Sequence, residues 1–351
     1  MTRAMAGTRR RVHATRLPAA TGVLLVACGV CACMSAAPDT SPRATCAAIA
    51  VAPETADAVT EALTADRKLT FHAVEVVTSY CRGQNTEQMK DVYSDGPHDR
   101  SYTSYLQPGP LSGTVIIENG DDLWQYDPAT GRWLHQSDQP GMLLGSTSAV
   151  DLLFENYTAD RKDDATVAGR RCTVYEILPK TSGNPSRRLC IDATTRLPLR
   201  TENVNGIGDL VSVSRYDSVT FDEAMPASWF GPPADASIDE DPVTRTGPIS
   251  AAEANASLGF QFREPAYIPT GYKFAGAFVL KRDFALVGHM QWFDGLSVIS
   301  LFKQHTGVML PSSGWEDSQA SSVTWTDGAF RYTLIGDIVP SELSRIRDSI
   351  R

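Results

Sequence analysis

The sequence has no long hydrophobic run and few chemically reactive side chains. Its main apolar stretch, 17–27, has eleven residues, too few for a helix that must cross about 30 Å of hydrocarbon. The six His are scattered without the spacing of a metal site, and phosphate-binding, nucleophile-elbow and zinc-protease motifs are absent. We therefore predict no enzyme activity, no catalytic residue, no metal and no cofactor.

Positive charge is scarce beyond the N-terminus. The formal net charge is −9, and residues 1–27 carry five Arg and no acidic residue. Removal of that segment leaves a net charge of −14, so we expect no nucleic acid partner, because phosphate binding requires cationic neutralisation. The remaining chain also has no polybasic segment that would hold it on an anionic membrane.

The N-terminal segment is typical of an export signal. A basic head precedes the apolar stretch and then Cys28, which is the secretory pattern. Leu25-Val26-Ala27-Cys28 is similar to a bacterial lipobox, so we predict cleavage after residue 27 and an acyl anchor, such as palmitate, on Cys28. This places the protein outside the bacterial cell membrane, attached by its lipid. Cys33 is the alternative acylation site, and export by the Sec or the twin-arginine route stays open. A metal cluster at these cysteines is disfavoured because they have no His partner.

The remaining cysteines form an even set, as in proteins of oxidising compartments: Cys46, Cys81, Cys172 and Cys190. Two runs of alternating apolar and polar residues surround a Pro-containing turn, and a hairpin centred on Thr181 places Cys172 opposite Cys190. Directly opposed residues are close enough for a disulfide. We predict this bond, which leaves Cys46 to pair with Cys81. Four buried free thiols are the alternative.

Apolar spacing and turn residues predict a few helices among many short strands. The predicted helices are 54–66, 148–157 and 341–350, the last capped by Ser341. Turn signals such as Asn119-Gly120 separate β-rich runs and indicate an antiparallel meander. Near the C-terminus, Asp294-Gly295 and Asp327-Gly328 predict two hairpins, the second with Trp325 opposite Phe330.

The composition changes along the chain predict five segments. These are a signal peptide (1–27), a flexible tether (28–45), an N-terminal domain (46–231), an acidic Pro-rich linker (232–256) and a small C-terminal domain (257–351). The first strand and the aromatic strands are candidates for lining an apolar ligand groove. The candidate residues are Phe71, Val77, Trp124, Tyr126, Trp133, Leu153 and Phe154. The alternative is that these side chains are ordinary core.

Several segments occur in an order that points to one family. They are 92–96, 102–106, 120–128, 153–157, 167–171 and 187–200, followed by 292–302 and 336–340. The most specific is 187–200, in which a basic strand and an Asp turn precede Thr195-Arg196-Leu197-Pro198-Leu199-Arg200. Together they resemble the RseB/MucB family, periplasmic regulators of an envelope-stress sigma factor, over roughly 69–221 and 257–351.

The resemblance implies a LolA-like N-terminal domain, a half-open antiparallel β-barrel with covering helices, and a smaller β-rich C-terminal domain. The fold class is then α+β and mostly β. It also implies binding to the extracytoplasmic domain of a membrane-embedded anti-sigma factor, with release when a lipid or acylated ligand binds an apolar groove. A cell-envelope lipid or lipoprotein carrier of the LolA-like superfamily is the alternative function. The anchor at Cys28 departs from typical members, which are soluble.

Overall fold

The computed structural model describes residues 51–81, 84–137, 148–241, 243–282, 285–307 and 321–350. Its strands form one sheet of twelve strands and one of six, antiparallel except for one short strand. The larger sheet is not closed into a barrel, and helices cover part of one face. The chain is therefore mostly β with covering helices, which confirms the predicted fold class.

The larger sheet is built from the N-terminal part of the chain. Its strands are β1 (Thr70–Cys81), β2 (Gln84–Asp95), β3 (Arg100–Tyr105), β4 (Val115–Asn119), β5 (Asp122–Asp127), β6 (Arg132–Gln136), β7 (Tyr157–Val167), β8 (Arg170–Pro179), β9 (Ser186–Asp192), β10 (Pro198–Val204), β11 (Leu210–Phe221) and β12 (Ile238–Glu240). Their spatial order is β12-β6-β5-β4-β3-β2-β1-β11-β10-β9-β8-β7. Neighbours in sequence are mostly neighbours in space, as in a meander.

The smaller sheet follows, and four helices accompany the two sheets. The strands are β13 (Val243–Ile249), β14 (Lys273–Arg282), β15 (Ala285–Phe293), β16 (Val298–His305), β17 (Ser321–Asp327) and β18 (Phe330–Gly336), in the spatial order β13-β14-β15-β16-β18-β17. The helices are α1 (Pro53–Ala62), α2 (Ala149–Asn156), α3 (Ala251–Leu258) and α4 (Pro340–Ser349). Helices α3 and α4 pack on one face of the smaller sheet, against a cluster that includes Phe262, Met290 and Leu334.

The helix termini follow their sequence signals, with two corrections. The Ser148 side chain accepts a hydrogen bond from the Asp151 backbone N–H at 3.0 Å, so α2 begins where predicted. The first helix ends at Ala62, short of the predicted residue 66, and a 3-10 turn occupies 66–68. The prediction of Ser341 as a cap is wrong: Val339 is the N-cap of α4, because Pro340 has the backbone angle and the missing N–H that suit the first helical position.

The inner face of the larger sheet, the face on which α1 and α2 pack, carries the N-terminal apolar core. Val59 and Ala62 of α1 and Leu153 of α2 are fully or almost fully buried against strands β7, β8 and β9. The strand residues that meet them are Tyr157, Ala159, Tyr175, Ile177, Leu189 and Ile191. Since side chains alternate between the two faces of a strand, α1 and α2 cover one face only.

Helix α2 also contacts the smaller sheet, so it lies between the two halves of the molecule. Ala149 and Leu152 pack against Ala275 of β14 and Phe293 of β15, and Leu152 is fully buried. Leu153, the next residue, points into the core of the larger sheet. We call this contact between the sheets the seam; it comprises α2, the turn 294–297 and the backbone around Gly183, Gly206 and Asp337.

Cys172 and Cys190 form the predicted disulfide, but the hairpin around them has a different register. Their Cα atoms are 5.4 Å apart, although Cys172 lies opposite Asp192 and Cys190 opposite Val174. The predicted centre at Thr181 is therefore wrong by one residue. Pro185 has no N–H to donate, so the ladder begins at Ser186 and the hairpin centres on Ser182. The predicted Cys46–Cys81 pair, and Cys28 and Cys33, lie outside the described residues or side chains.

The hairpin at Asp327-Gly328 is present, with a shifted register. Its two-residue turn is Gly328-Ala329, because Asp327 pairs with Phe330. The predicted pairing of Trp325 with Phe330 is therefore wrong. Trp325 lies opposite Tyr332, and the two rings stack with their centroids 5.0 Å apart.

The segment 232–256, expected to be a linker, forms elements of both sheets. Strand β12 joins the larger sheet, whereas β13 joins the smaller sheet and α3 packs on it. The chain thus passes from one sheet to the other between Glu240 and Val243. A low apolar content does not prevent strand formation at β12, because this strand is held by backbone pairing and by charged side chains.

Candidate functional site

A buried ion pair occupies the centre of the inner face. Strands β1 and β2 place Glu75 directly opposite Lys90, and the Lys90 Nζ lies 2.8 Å from a Glu75 carboxylate oxygen. The Lys90 side chain is 3% exposed and that of Glu75 is 12% exposed. The centre of the face is thus charged, whereas the region under α1 and α2 is apolar.

Polar side chains from neighbouring strands surround this pair. The Ser214 hydroxyl donates to the Glu75 carboxylate. Tyr105 lies opposite Lys90 on β3, and its burial, reinforced by the negative charge of Glu75, raises its pKa to about 12. Tyr216 lies opposite Glu75 on β11, and burial raises the pKa of its hydroxyl well above the ordinary value. Both tyrosines therefore stay neutral at physiological pH.

The cluster of Glu75, Lys90, Ser214, Tyr105 and Tyr216 limits what the inner face binds. An acyl chain that covered it would remove the remaining exposed part of the Glu75 carboxylate from water without new hydrogen bonds, which is unfavourable. A polar or peptide ligand would instead supply donors and acceptors. The chemistry at the centre of the sheet therefore favours a polar ligand over a hydrocarbon chain.

The seven residues predicted to line a groove do not lie together. The cross-strand partners that follow Phe71 of β1 through β2, β3, β4 and β5 all lie on its face of the sheet. They are Ser94, Ser101, Glu118 and Leu123. Because side chains alternate, Phe71 and Val77 lie on the inner face, whereas Trp124, Tyr126 and Trp133 lie on the opposite face. Tyr126 and Trp133 do contact each other, with ring centroids 5.4 Å apart.

The two remaining groove candidates belong to α2. Leu153 is fully buried in the core under the helices, and Phe154 packs against that core. Phe71 is 2% exposed and lies in a separate buried cluster that also contains the disulfide. Phe71, Leu153 and Phe154 therefore serve packing, which is the alternative that the sequence had left open for these side chains.

Two small cavities open near the inner face, and neither contains a predicted groove residue. One, of about 160 Å³, lies in the seam and is lined in part by Arg187, Asn203, Ser212 and Asp337. The other, of about 180 Å³, lies beside α1 at Thr55 and Tyr175. Pockets for drug-sized ligands measure about 300–1,000 Å³. Both cavities are therefore suited to water molecules or small polar groups.

Buried hydrogen bonds fix the seam beside α2. The Tyr157 hydroxyl donates to a carboxylate oxygen of Asp294 at 2.5 Å, and Asp294 is fully buried. The other oxygen of Asp294 accepts from the backbone N–H groups of Leu296 and Ser297, at 2.9 and 2.8 Å. Burial, with the Asp294 charge beside it, raises the pKa of Tyr157. The Asn156 side-chain amide donates to the backbone oxygens of Gly271 and Asp294.

A second part of the seam carries opposite charges around the 160 Å³ cavity. Arg187 donates from Nε to the Asn203 side-chain oxygen at 2.7 Å. Burial lowers the pKa of Arg187, and the carboxylate of Asp337 opposes that shift. Burial likewise raises the pKa of Asp337, against the effect of Arg187. Backbone bonds from Gly206 to Asp337 and from Val339 to Gly183, at 2.6 and 3.0 Å, hold the two sheets together here.

Metal and membrane features are limited among the described residues. In that part of the chain, no group of three or more His, Cys, Asp or Glu is arranged to hold a metal ion. No helix there is both long and apolar enough to cross a bilayer.

The sequence reasoning missed the Glu75–Lys90 pair, although a signal for it existed. Strand-forming runs lie on both sides of Gly83 in the sequence. Once Cys81 pairs with Gln84, counting outward along β1 and β2 sets Glu75 opposite Lys90. The Arg187–Asp337 arrangement had no such signal, because its residues lie in different sheets and 150 positions apart in the chain.

The fold defines a class of protein: a chain with a large open sheet, a small six-stranded sheet and a helix between them. The same arrangement occurs in MucB of Pseudomonas aeruginosa in its complex with MucA, with a TM-score of 0.57 and 15% sequence identity. That similarity covers 84% of this chain and 96% of MucB. MucB in complex with MucA(peri) and MucB alone give TM-scores of 0.56 and 0.55 at 16% and 15% identity, each covering 85% of this chain and 98% of the other.

The chain therefore has an RseB/MucB-like fold, as its segments predicted. A family model described as an uncharacterized protein matches residues 97–227, less than half of the chain. No curated protein matches the sequence.

Proposed function

We propose that the protein is an extracytoplasmic regulator that binds the outer domain of a membrane-embedded anti-sigma factor. The observation that carries this proposal is the likeness to MucB over 84–85% of this chain, in structures where MucB is in complex with MucA. A likeness confined to the larger sheet would support a lipid carrier equally well. The likeness to MucB extends beyond the larger sheet, since it covers 84% of this chain, and this extent favours the regulator.

The inner face supports a protein partner over a lipid carrier. Its centre holds the Glu75–Lys90 ion pair, and the two cavities of about 160 and 180 Å³ fall short of the volume of an acyl site. Neither of these two cavities supports lipid sensing, the second part of the sequence-based hypothesis, which remains a prediction. The carrier function likewise remains a prediction.

An acyl anchor at Cys28 would suit such a regulator. The tether 28–45 would let the folded part reach the outer domain of a protein embedded in the same membrane. Mass spectrometry of the mature N-terminus tests this directly. We expect a diacylglyceryl-modified Cys28, lost in Cys28→Ala and retained in Cys33→Ala; modification of Cys33 would move the anchor to the alternative site.

Capture of the partner is the test of the proposed function. The full mature chain, with a C-terminal affinity tag, is mixed with detergent-solubilised membranes of the source organism. We expect a single-pass protein in the eluate whose cytoplasmic part retains a sigma factor. A tag-only resin is the control for adhesion to the support. Stoichiometric lipid without a protein partner would contradict the proposal and favour the carrier.

A matched pair of variants tests the argument from the inner face. The double variant Glu75→Leu/Lys90→Met replaces the buried pair by apolar groups of similar size, an exchange that is often neutral in stability. If the charged pair is what excludes hydrocarbon, this variant should bind an apolar fluorescent probe more tightly than the wild-type chain. Tight binding by the wild-type chain would contradict the exclusion.

A further inference from the structure

A short acidic segment, which we call the strap (residues 237–241), covers one edge of the larger sheet. Its strand β12 runs parallel to β6, whereas the other described strand pairs of the sheet are antiparallel. The Trp133 backbone N–H donates to the Ser237 oxygen at 2.9 Å, and the Asp241 N–H donates to the His135 oxygen at 2.8 Å. The strap thus takes the place of an added strand on β6.

Each acidic side chain of the strap meets a polar side chain of β6. Arg132 forms an ion pair with Asp239, and the Gln136 amide donates to Asp241. One ring nitrogen of His135 lies 3.0 Å from a Glu240 carboxylate oxygen. The edge therefore recognises a run of three acidic residues in a defined register.

The second ring nitrogen of His135 contacts the larger sheet itself. It lies 2.9 Å from a carboxylate oxygen of Asp122 on β5, and the ring stacks on Trp124 with centroids 5.2 Å apart. This orients the imidazole toward the strap whether or not the strap is bound. The recognition surface is therefore preformed on β5 and β6.

The strap is held mainly by exposed contacts; the bond from Gln136 to Asp241 is partly buried. Ile238, its apolar residue, is 45% exposed, and the side chains of Arg132 and Asp239 are 49% and 48% exposed. Exposed ion pairs contribute little to stability. By contrast Val243, the first residue of β13, packs against the buried Leu280, Val287 and Phe302. Release of the strap would therefore cost little and would leave the backbone groups of β6 free to pair.

We propose that the edge of β6 is the docking site for an extended acidic segment of the partner, which adds as a parallel strand in place of the strap. This assumes the partner of the proposed function, an anti-sigma outer domain. Backbone pairing supplies the affinity of such strand addition, and the side-chain pockets supply its specificity. Arg132, His135 and Gln136 would select carboxylates. The strap is then an internal competitor that occupies the edge until an acidic strand with higher affinity displaces it.

The test uses a fluorescent peptide with the sequence of residues 234–242, which contains the strap. It is titrated against the full mature chain and against Asp239→Lys/Glu240→Lys, which frees the edge by repelling the strap from Arg132. The peptide should bind the variant about tenfold more tightly than the wild type. This factor is expected if the strap leaves the edge free in about a tenth of the wild-type molecules and in nearly all molecules of the variant. Circular dichroism verifies folding, and Glu240→Lys alone serves as a milder variant.

Arg132 provides the control for specificity. Adding Arg132→Ala to the double variant, which removes the cation without pairing it to Lys in the strap, should abolish peptide binding. A peptide with its acidic residues changed to Lys should bind neither protein. Equal affinity of both proteins for the acidic peptide, or binding that survives Arg132→Ala, would overturn the inference. A dimer in which the straps of two copies are exchanged would also overturn it, in favour of a second copy as occupant.

The two proposals can fail separately. Peptide binding to the freed edge needs no anti-sigma factor, so capture that fails while the peptide binds would contradict the proposed function alone. Capture that succeeds without competition from the acidic peptide would contradict the docking site alone.

Discussion

The seam and the strap both connect distant parts of the chain, and they do so by opposite means. The seam buries Leu152 completely and holds Asp294 at no exposure. The strap leaves Ile238 about half exposed and relies on charged side chains. Burial and desolvated hydrogen bonds make a contact permanent, whereas exposed charges make it exchangeable.

The difference assigns the two regions different tasks. The seam holds the smaller sheet against the larger one through buried contacts. The strap occupies an edge that the rest of the sheet leaves unpaired. Substitutions in the seam should therefore change stability, and substitutions in the strap should change binding.

Gly295 offers the strongest way to break the seam. It has φ 101°, and a Cβ at this position would lie 2.3 Å from the Leu153 backbone nitrogen of α2. Gly295→Ala should lower the free energy of unfolding by about 3–5 kcal/mol, from a strained backbone and an overpacked contact. Urea unfolding measures this loss.

Gly328 is the matched control for Gly295. It also follows an Asp and lies in a hairpin turn of the smaller sheet, with φ 58°, but a Cβ added there would have no atom within 4 Å. Gly328→Ala should cost only about 1–2 kcal/mol, the penalty of the left-handed conformation. Equal losses in both variants would show that the close approach of the turn to α2 is unimportant.

Leu152 tests the apolar part of the seam. Truncation in Leu152→Ala removes a fully buried side chain between α2 and the smaller sheet, which should cost about 2–5 kcal/mol. We expect thermal unfolding to separate into two transitions as the sheets lose their contact. Ile238→Ala in the strap should stay within about 0.5 kcal/mol of the wild type, as exposed substitutions usually do. A single unchanged transition in Leu152→Ala would contradict the role of α2 as the link.

Tyr157 tests the polar part of the seam. Tyr157→Phe removes the donor to the buried Asp294 carboxylate and should cost about 1–3 kcal/mol, because the acceptor stays buried without that bond. Tyr126→Phe, on the opposite face of the larger sheet, should change stability by less than about 0.5 kcal/mol. Equal free energies of unfolding in urea for the two variants would contradict a stabilising role of the Tyr157–Asp294 hydrogen bond.

Local elements of this fold were predictable because their signals lie close together in the sequence. The Ser148 cap, the Asn119-Gly120 turn and the Asp294-Gly295 turn each specify structure within a few residues. The disulfide between Cys172 and Cys190 was predictable even with a hairpin centre wrong by one residue, since residues diagonal across a pair of strands can still approach.

The candidate site was less predictable because register and long-range contacts decide it. A one-residue error in strand alternation moves a side chain to the other face, so Trp124 and Phe71 were placed in one groove although they lie on opposite faces. The contact of the strap with β6 joins Asp239 to Arg132 over 107 positions. A sequence in which acidic residues lie near prolines predicts a solvated linker, and only the contact with Arg132 shows that this segment is a strand.

The smallest expected effect is the pH dependence of the strap. The hydrogen bond to Glu240, followed by that to Asp122, raises the pKa of His135. A raised pKa means that protonation favours the bound strap. This contribution is complete below the pKa that His135 has with Asp122 alone, and it is lost as the pH rises through the higher pKa of the strap-bound state. We expect the strap to loosen toward alkaline pH.

Amide hydrogen exchange measures this loosening where the strap bonds to β6. After correction for intrinsic rates, the N–H groups of Trp133 and Asp241, which pair β6 with the strap, should be better protected near pH 6 than near pH 8.5. His135→Gln keeps hydrogen-bonding capacity without a titrating charge, so in this variant the protection of the Trp133 and Asp241 amides should not change between about pH 6 and pH 8.5. The Asp294-bonded N–H of Ser297 in the seam is the internal reference, because Asp294 and its donors do not depend on His135. If the strap amides and the Ser297 amide lose protection in parallel, the whole molecule has been destabilised. The strap would then not be released separately from the rest of the fold, contrary to what its exposed contacts indicate.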